Sequence, residues 1–430
     1  MIKSKKIKIV FFIPRLNHFR VLGSIIEVAY EDREVEPVIV LVDNRLSQKG
    51  EQAPSEEKIP EQLRGKCKIK SFSDIGDCFR YCDEADIFFT LNRVWETHRG
   101  KCTKPIKALW CTIYDTLDQC FPHYKMENTW RPEYYSEYSD LYFWPTPYYR
   151  DLAIHWNLAP ESILNERSRF VGFVRSDFVK RASREDIRRK YSIPLDKPVV
   201  IFIPDQNKLR SSKAISVTHW YFDLWLAENQ FQRICRSIFF HRSISSLRAA
   251  ISPTIGYDRA LSAISKFCKN NGALLVMAPR RRKDWRGEEI FTSQEKRIAD
   301  HLIETMEEYP QSLLQLFGMA DLVISPIYTD CVLDSSAMGT PFVSLKLSGP
   351  VLVDDFLPDF EKIFTERAHF PGVTWEIQSD EFIRNIPNRP LSYFSMDSKT
   401  LQTFNDKYVG PADGMSSERI IEEAKGMVGS

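Results

Sequence analysis

The chain has 430 residues, 43% of them hydrophobic, and only 17 glycines, which excludes fibrous and disordered classes and exceeds what one ordinary core accommodates. Two domains are expected. With 59 Lys and Arg against 58 Asp and Glu the formal net charge is +1, so no nucleic acid or other polyanion partner is expected over the surface as a whole, and any anion binding must be local.

The first residues are basic and then apolar, but Pro14, Arg15 and Asn17 end the run, so it reads as a first strand rather than a leader peptide. From Lys8 onward strands alternate with helices: a strand at 9–13, a helix at 21–30, a strand at 37–42, then strands at 69–72, 87–90, 108–113 and 141–144. A short strand at 169–171 leads into a charged helix at 183–190 and a turn-rich stretch at 192–198 that reads as a hinge. A second series comes next, with strands at 199–203, 273–277, 322–324 and 342–345. This rhythm predicts an α/β chain of two doubly wound domains, residues 1–180 and 181–408, closed by a C-terminal helix within 409–430, with ligand held in an interdomain cleft.

One stretch breaks the rhythm. An aromatic helical insertion near 215–250 carries Trp220, Tyr221, Phe222, Trp225 and Phe231 among Arg233, Arg236 and Arg242. It either packs on the second domain or makes peripheral membrane contact, as a basic amphipathic helix does. No apolar run reaches the length of a membrane span. The nine cysteines form no CxxC pair and read as reduced thiols of a cytoplasmic protein. The acids Asp83, Glu84, Asp86, Asp354 and Asp355 read as solvated, and no metal is expected.

Residues 320–341 are the most informative stretch. Leu322, Val323 and Ile324 form a buried strand; Tyr328, Thr329 and Asp330 a polar loop; and a helix from Asp334 runs into Gly339, Thr340 and Pro341. In an open parallel sheet, ligands sit beyond the carboxyl ends of strands, where amides can meet phosphate and a carboxylate can take both ribose hydroxyls. A plain strand–loop–helix is the alternative reading.

Taken in order, 169–177, 188–204, 320–341 and 404–414 resemble the CDP-glycerol glycerophosphotransferase family. The resemblance implies the GT-B fold, two Rossmann-like domains facing across a cleft, with the first binding acceptor and the second a nucleotide-activated donor. It implies that the Thr329 hydroxyl and the amides of the loop Tyr328, Thr329 and Asp330 hold donor phosphates, and that Asp334, with Ser335 beside it, meets the ribose; Asp330 stands where the family has serine and adds a negative charge close to the phosphate. The family's Lys-x-His-Pro falls on Met277 to Arg280, so its histidine is missing. Arg280, Arg281, Arg282 and Lys283 come at once after it, and planar guanidiniums that bind two phosphate oxygens are a natural substitute for the cation beside a departing diphosphate. A solvated basic turn is the alternative.

Transfer needs a base for the acceptor hydroxyl. His18, between strand one and helix one, is the first candidate, Asp115 the second, and Glu96 with His98 the third; Arg20 and Arg93 could hold an anionic acceptor. The expected activity is movement of a glycosyl or glycerophosphate group from a CDP-, CMP- or UDP-activated donor, with no further cofactor, onto a glycan, wall-polymer or lipid-linked acceptor at the inner face of the membrane. A UDP-sugar 2-epimerase, which shares the carboxylate before Gly-x-Pro, and a GT-B-like scaffold without chemistry are the alternatives.

Overall fold

The computed structural model describes residues 5–42, 54–91, 107–117, 139–156, 158–204, 253–279, 291–305, 309–326, 330–346, 363 and 366–429. They divide into two compact units. Unit 1 is Met1–Ala182, Glu307–Ser312 and Thr403–Ser430; unit 2 is Ser183–Met306 and Leu313–Gln402.

Unit 1 is built on seven parallel strands, β1 (Ile7–Ile13), β2 (Val35–Val42), β3 (Lys68–Phe72), β4 (Ile87–Leu91), β5 (Leu109–Ile113), β6 (Leu141–Trp144) and β7 (Ser168–Phe170), in the order β3-β2-β1-β4-β5-β6-β7. Successive residues of β1 are apolar because both faces of the sheet are covered. Ile9, Phe11 and Ile13 pack with Leu22, Ile25 and Ile26 of helix α1 (Phe19–Glu31), whereas Val10 and Phe12 pack with Cys78, Phe79 and Cys82 of α2 (Ile75–Cys82). Each such buried side chain contributes about 1.5–3 kcal/mol.

Unit 2 has six parallel strands, β8 (Val199–Phe202), β9 (Leu274–Met277), β10 (His301–Leu302), β11 (Leu322–Ser325), β12 (Phe342–Lys346) and β13 (Thr374–Gln378), in the order β10-β9-β8-β11-β12-β13. The expected strands are present, and β10 and β13 are additional. β10 is two residues long, too short to leave a pattern, and β13 mixes buried with half-buried positions. Helix α3 (Arg184–Lys190) starts on Ser183, whose hydroxyl accepts from the Asp186 amide, a standard cap. The stretch 192–198, expected to act as a hinge, is tied into unit 2. Buried Arg188 donates to the carbonyls of Pro194, Leu195 and Lys197 at 2.9–3.1 Å and to that of Met319 at 3.3 Å. Helix α4 (Pro253–Asn270) covers the sheet through Leu261, Ile264 and Phe267, and among the described residues no helix is long and apolar enough to cross a membrane.

The last segments of the chain close unit 1. Helix α5 (Ser416–Val428) packs Ile420, Ile421 and Ala424 against the α1 face of the sheet. At its start the buried carboxylate of Asp177 accepts from the Ser417 amide at 2.6 Å and hydroxyl at 2.7 Å; at its end Lys425 Nζ lies 2.7 Å from both Asp32 and Glu34. Gly172 and Gly410 stand at positive φ, 94° and 74°. A Cβ on Gly410 would lie 2.4 Å from the Pro145 carbonyl oxygen, and one on Gly172 would lie 2.5 Å from that of Pro411, so the backbones touch where only glycine fits. Two of the stretches that carry the family resemblance, 169–177 and 404–414, are thus halves of one structural clasp. The short return Glu307–Ser312 does a similar job: Tyr309, 2% exposed, lies over Gly23 of α1 and donates to Glu27 Oε2 at 2.5 Å.

Candidate functional site

In unit 2, β8 is the first strand, and the chain winds away from it in both directions, toward β9 on one side and β11 on the other. Ligands of such sheets sit at this switch point, outside the carboxyl ends of the strands. Because β9, β8 and β11 are adjacent and parallel, the chain emerging at Ala278 and Pro279 stands about 10 Å, two strand spacings, from that emerging at Ser325 and Pro326. Arg280, Arg281, Arg282 and Lys283 come directly after Pro279; they, with Tyr328 and Thr329, lie outside the described residues.

Beyond β11 stands a seven-residue helix, Cys331–Ala337, starting three residues earlier than the sequence suggests, with Asp330 at its N-cap. The charge of Asp330, the departure from the family's serine, has its own counter-ion. Arg367, 1% exposed, donates Nη1 to Asp330 Oδ1 at 2.5 Å, and its carbonyl is held by the Thr374 hydroxyl at 2.9 Å, at the start of β13. Arg367 lies 37 residues from Asp330 and no local signal in the sequence points to it. Asp334, one turn further on, is 3% exposed. Ser335 is fully buried and donates its hydroxyl to the Thr340 carbonyl at 2.7 Å, while Thr340 donates its own to the Phe317 carbonyl at 2.8 Å. The hydroxyl of Ser335 therefore shapes the helix end and the turn into β12.

In unit 1 the equivalent edge carries His18 and Asp115. Beyond β1 the chain makes one 3-10 turn, Leu16–His18, before α1. His18 is half-buried, and its Nδ1 has no hydrogen-bond partner among the described residues. Burial first, then the positive charges of Arg15 and Arg20, pull its pKa down to about 3. It is neutral at physiological pH, the form a base requires, but its protonated form is opposed on three counts. Asp115, two residues beyond β5 and 1% exposed, has Arg20 Nη2 at 3.6 Å and Arg175 Nε at 3.5 Å from the same Oδ2. Two guanidiniums thus compete for the oxygen a base would use. The Arg175 side chain is itself 3% exposed and stacks on Phe173 at 4.7 Å. Arg175 sits within the 169–177 stretch already singled out, a signal that could have raised it to a candidate. Glu96, His98 and Arg93, like the aromatic insertion at 217–240, lie outside the described residues.

A scan against protein-family models finds no match, and a search of curated proteins finds none either. Solved structures do match along the whole chain. The wall teichoic acid polymerase TagF, in a variant soaked with CDPG, is 12% identical, with 99% of this chain and 90% of that one covered and a TM-score of 0.59. A putative UDP-N-acetylglucosamine 2-epimerase from Listeria monocytogenes is 11% identical, with 98% and 96% covered and a TM-score of 0.57. Identity at this level speaks to architecture alone. Two parallel Rossmann-like sheets, matched to these neighbours over nearly their full length, give the chain the GT-B fold.

Proposed function

We propose that the protein is a GT-B transferase that moves a glycosyl or glycerophosphate group from a cytidine- or uridine-activated donor to a hydroxyl of a surface polysaccharide or wall polymer. The observation that supports it most is the switch point of unit 2, where an acid on the seven-residue helix, Asp334, comes after a loop whose one charged N-cap, Asp330, is already neutralised by Arg367. An uncompensated carboxylate there would repel phosphate; a paired one leaves the loop amides usable. In this reading Asp334 accepts from ribose hydroxyls, Tyr328, Thr329 and the amides of the loop hold the donor phosphates, and Arg280, Arg281, Arg282 and Lys283 neutralise the departing nucleotide. Ser335 supports the turn from within. His18 takes the proton of the attacking hydroxyl as the bond from donor to nucleotide phosphate breaks, and Asp115 fixes the arginines beside it.

Melting of the full chain with CMP, CDP, UMP and UDP tests the donor half. A nucleotide present at 100 times its Kd stabilises the folded state by about 2.7 kcal/mol, and Asp334→Asn is expected to weaken that response. No response to any of the four sinks the proposal. A second reading, a UDP-sugar 2-epimerase, is favoured by the epimerase among the matched structures. It predicts exchange of the sugar C2 hydrogen with solvent deuterium and no requirement for an acceptor, whereas the transferase predicts nucleotide release that rises with acceptor.

A further inference from the structure

Helix α4 and the short helix Ser379–Asn385 pack their inner residues, Leu261, Ile264, Phe267 and Phe382, into the core of unit 2. Between their outer faces lies an open cleft of about 390 Å³, within the size range of small-molecule sites. Arg259, Lys266 and Arg384 line it, all three exposed, and none makes an ion pair among the described residues. Elsewhere in the unit Arg184, Arg188 and Arg367 each meet a carboxylate. Like charges gathered around one concavity raise its positive potential, and a bound anion lowers it. The walls are fixed before any ligand arrives. Asn270 Nδ2 donates to the Pro387 carbonyl at 2.7 Å and ties the ends of the two helices together, and Arg384 Nε donates to the Asp380 carbonyl at 3.0 Å.

The lining also carries acceptors. Ser262 and Gln294 donate to the Asp258 carbonyl at 2.9 and 3.0 Å, which leaves the hydroxyl lone pairs of Ser262 and the Oε1 of Gln294 available. The Asp258 carboxylate has no ion pair among the described residues, and desolvation raises its pKa, so hydrogen-bond donors brought by a ligand would stabilise it. A bare anion would meet the cations but be opposed by Asp258; a hydroxylated anion satisfies both. We infer that this cleft binds a phosphate ester of a polyol or sugar, with Arg259, Lys266 and Arg384 on the phosphate and Asp258, Ser262 and Gln294 accepting from its hydroxyls. The cleft opens on helix faces turned away from the sheet, whereas the switch point lies beyond the carboxyl ends of β8 and β11. The inference is therefore independent of the donor assignment.

Lys266 supplies a local readout. Full-length protein is treated with acetic anhydride, and acylation of Lys266 is followed by peptide mass spectrometry in glycerol 3-phosphate, glucose 6-phosphate, inorganic phosphate or glycerol at matched ionic strength. At least one ester is expected to protect Lys266 saturably, at a concentration about tenfold below that needed of inorganic phosphate, and glycerol not at all. Arg259→Gln and Arg384→Gln, both at exposed positions, should each weaken protection about tenfold. Asp258→Asn should tighten inorganic phosphate by removing a like charge and abolish the advantage of the ester. Protection should persist in saturating CDP or UDP, and the melting response to nucleotide should be unchanged in Arg384→Gln, so this inference and the donor assignment fail separately. No protection by either ester, protection lost to nucleotide, or protection unchanged in both arginine variants overturns the inference. Protection by phosphatidic acid vesicles but by neither ester also overturns it, because the cations would then serve a lipid headgroup.

Discussion

Replacing Gly23 with alanine should be damaging or helpful according to what residue 309 is. A Cβ added at Gly23 falls 2.2 Å from Tyr309 Cγ, 2.5 Å from Cδ2 and 2.7 Å from Cβ, whereas carbons in contact prefer about 3.5–4.0 Å. No rotamer change relieves an overlap that includes the ring's own Cβ, so the ring must leave or α1 must shift. Overpacking of this kind costs about 1–3 kcal/mol, and its ceiling is the worth of the seated ring, about 3–5 kcal/mol when a large aromatic is truncated. Gly23→Ala should therefore destabilise unit 1 by about 3 kcal/mol. In a Tyr309→Gly background, which removes the ring and its Cβ together, the clash is gone, and alanine in mid-helix is better than glycine by about 0.8–1.0 kcal/mol, so the sign reverses. Hydrogen exchange of the α1 amides reads the local stability directly and avoids assuming a single transition for two units. Equal losses in both backgrounds would show that Tyr309 does not sit on Gly23.

The Asp330–Arg367 pair, at 2.5 Å, carries an attraction of about 7 kcal/mol at an effective dielectric near 20, most of it offset by desolvation; Arg367→Met is expected to cost about 3–5 kcal/mol and the Asp330→Asn, Arg367→Met double much less. Denaturant titration of the four proteins measures the coupling, and additive losses would refute the pairing. Ser335→Ala should cost about 1–3 kcal/mol by stranding the buried Thr340 carbonyl yet leave nucleotide affinity unchanged; a loss of affinity at equal stability would put the hydroxyl on the donor instead. His18 charges near its ordinary value of 6.5 in the unfolded chain but only near about 3 in the folded protein. The unfolded state thus binds more protons across that window, and stability falls as pH drops through it, by up to about 1.4 kcal/mol per pH unit. His18→Gln should flatten this part of the profile, and parallel curves would contradict the burial described.

The architecture was largely legible because both sheets are covered on two faces, so their strands appear as uninterrupted apolar runs such as 9–13 and 141–144, and the gaps between them have helical length. The site was legible only where its chemistry is local. His18, Asp115, Asp330 and Asp334 each stand directly beyond a strand and could be read from position. Arg367 could not, since its significance comes from a partner 37 residues away that only tertiary folding brings near; Arg175, 60 residues from Asp115, was marked only by its place within the 169–177 stretch. The resemblance at 169–177 and 404–414 tracked a clasp built on Gly172, Gly410 and Asp177, which is why it identified an architecture without fixing a donor.

That clasp dictates an order of events during synthesis. Ile420, Ile421 and Ala424 complete the α1 face of the first sheet, and Ser417 and Lys425 bring hydrogen bonds to Asp177, Asp32 and Glu34, so in synthesis β1 to β7 precede this part of their cover by the whole of unit 2. A fragment stopped at residue 182 should be sticky and chaperone-dependent, and should become soluble when a peptide spanning 403–429 is supplied in trans.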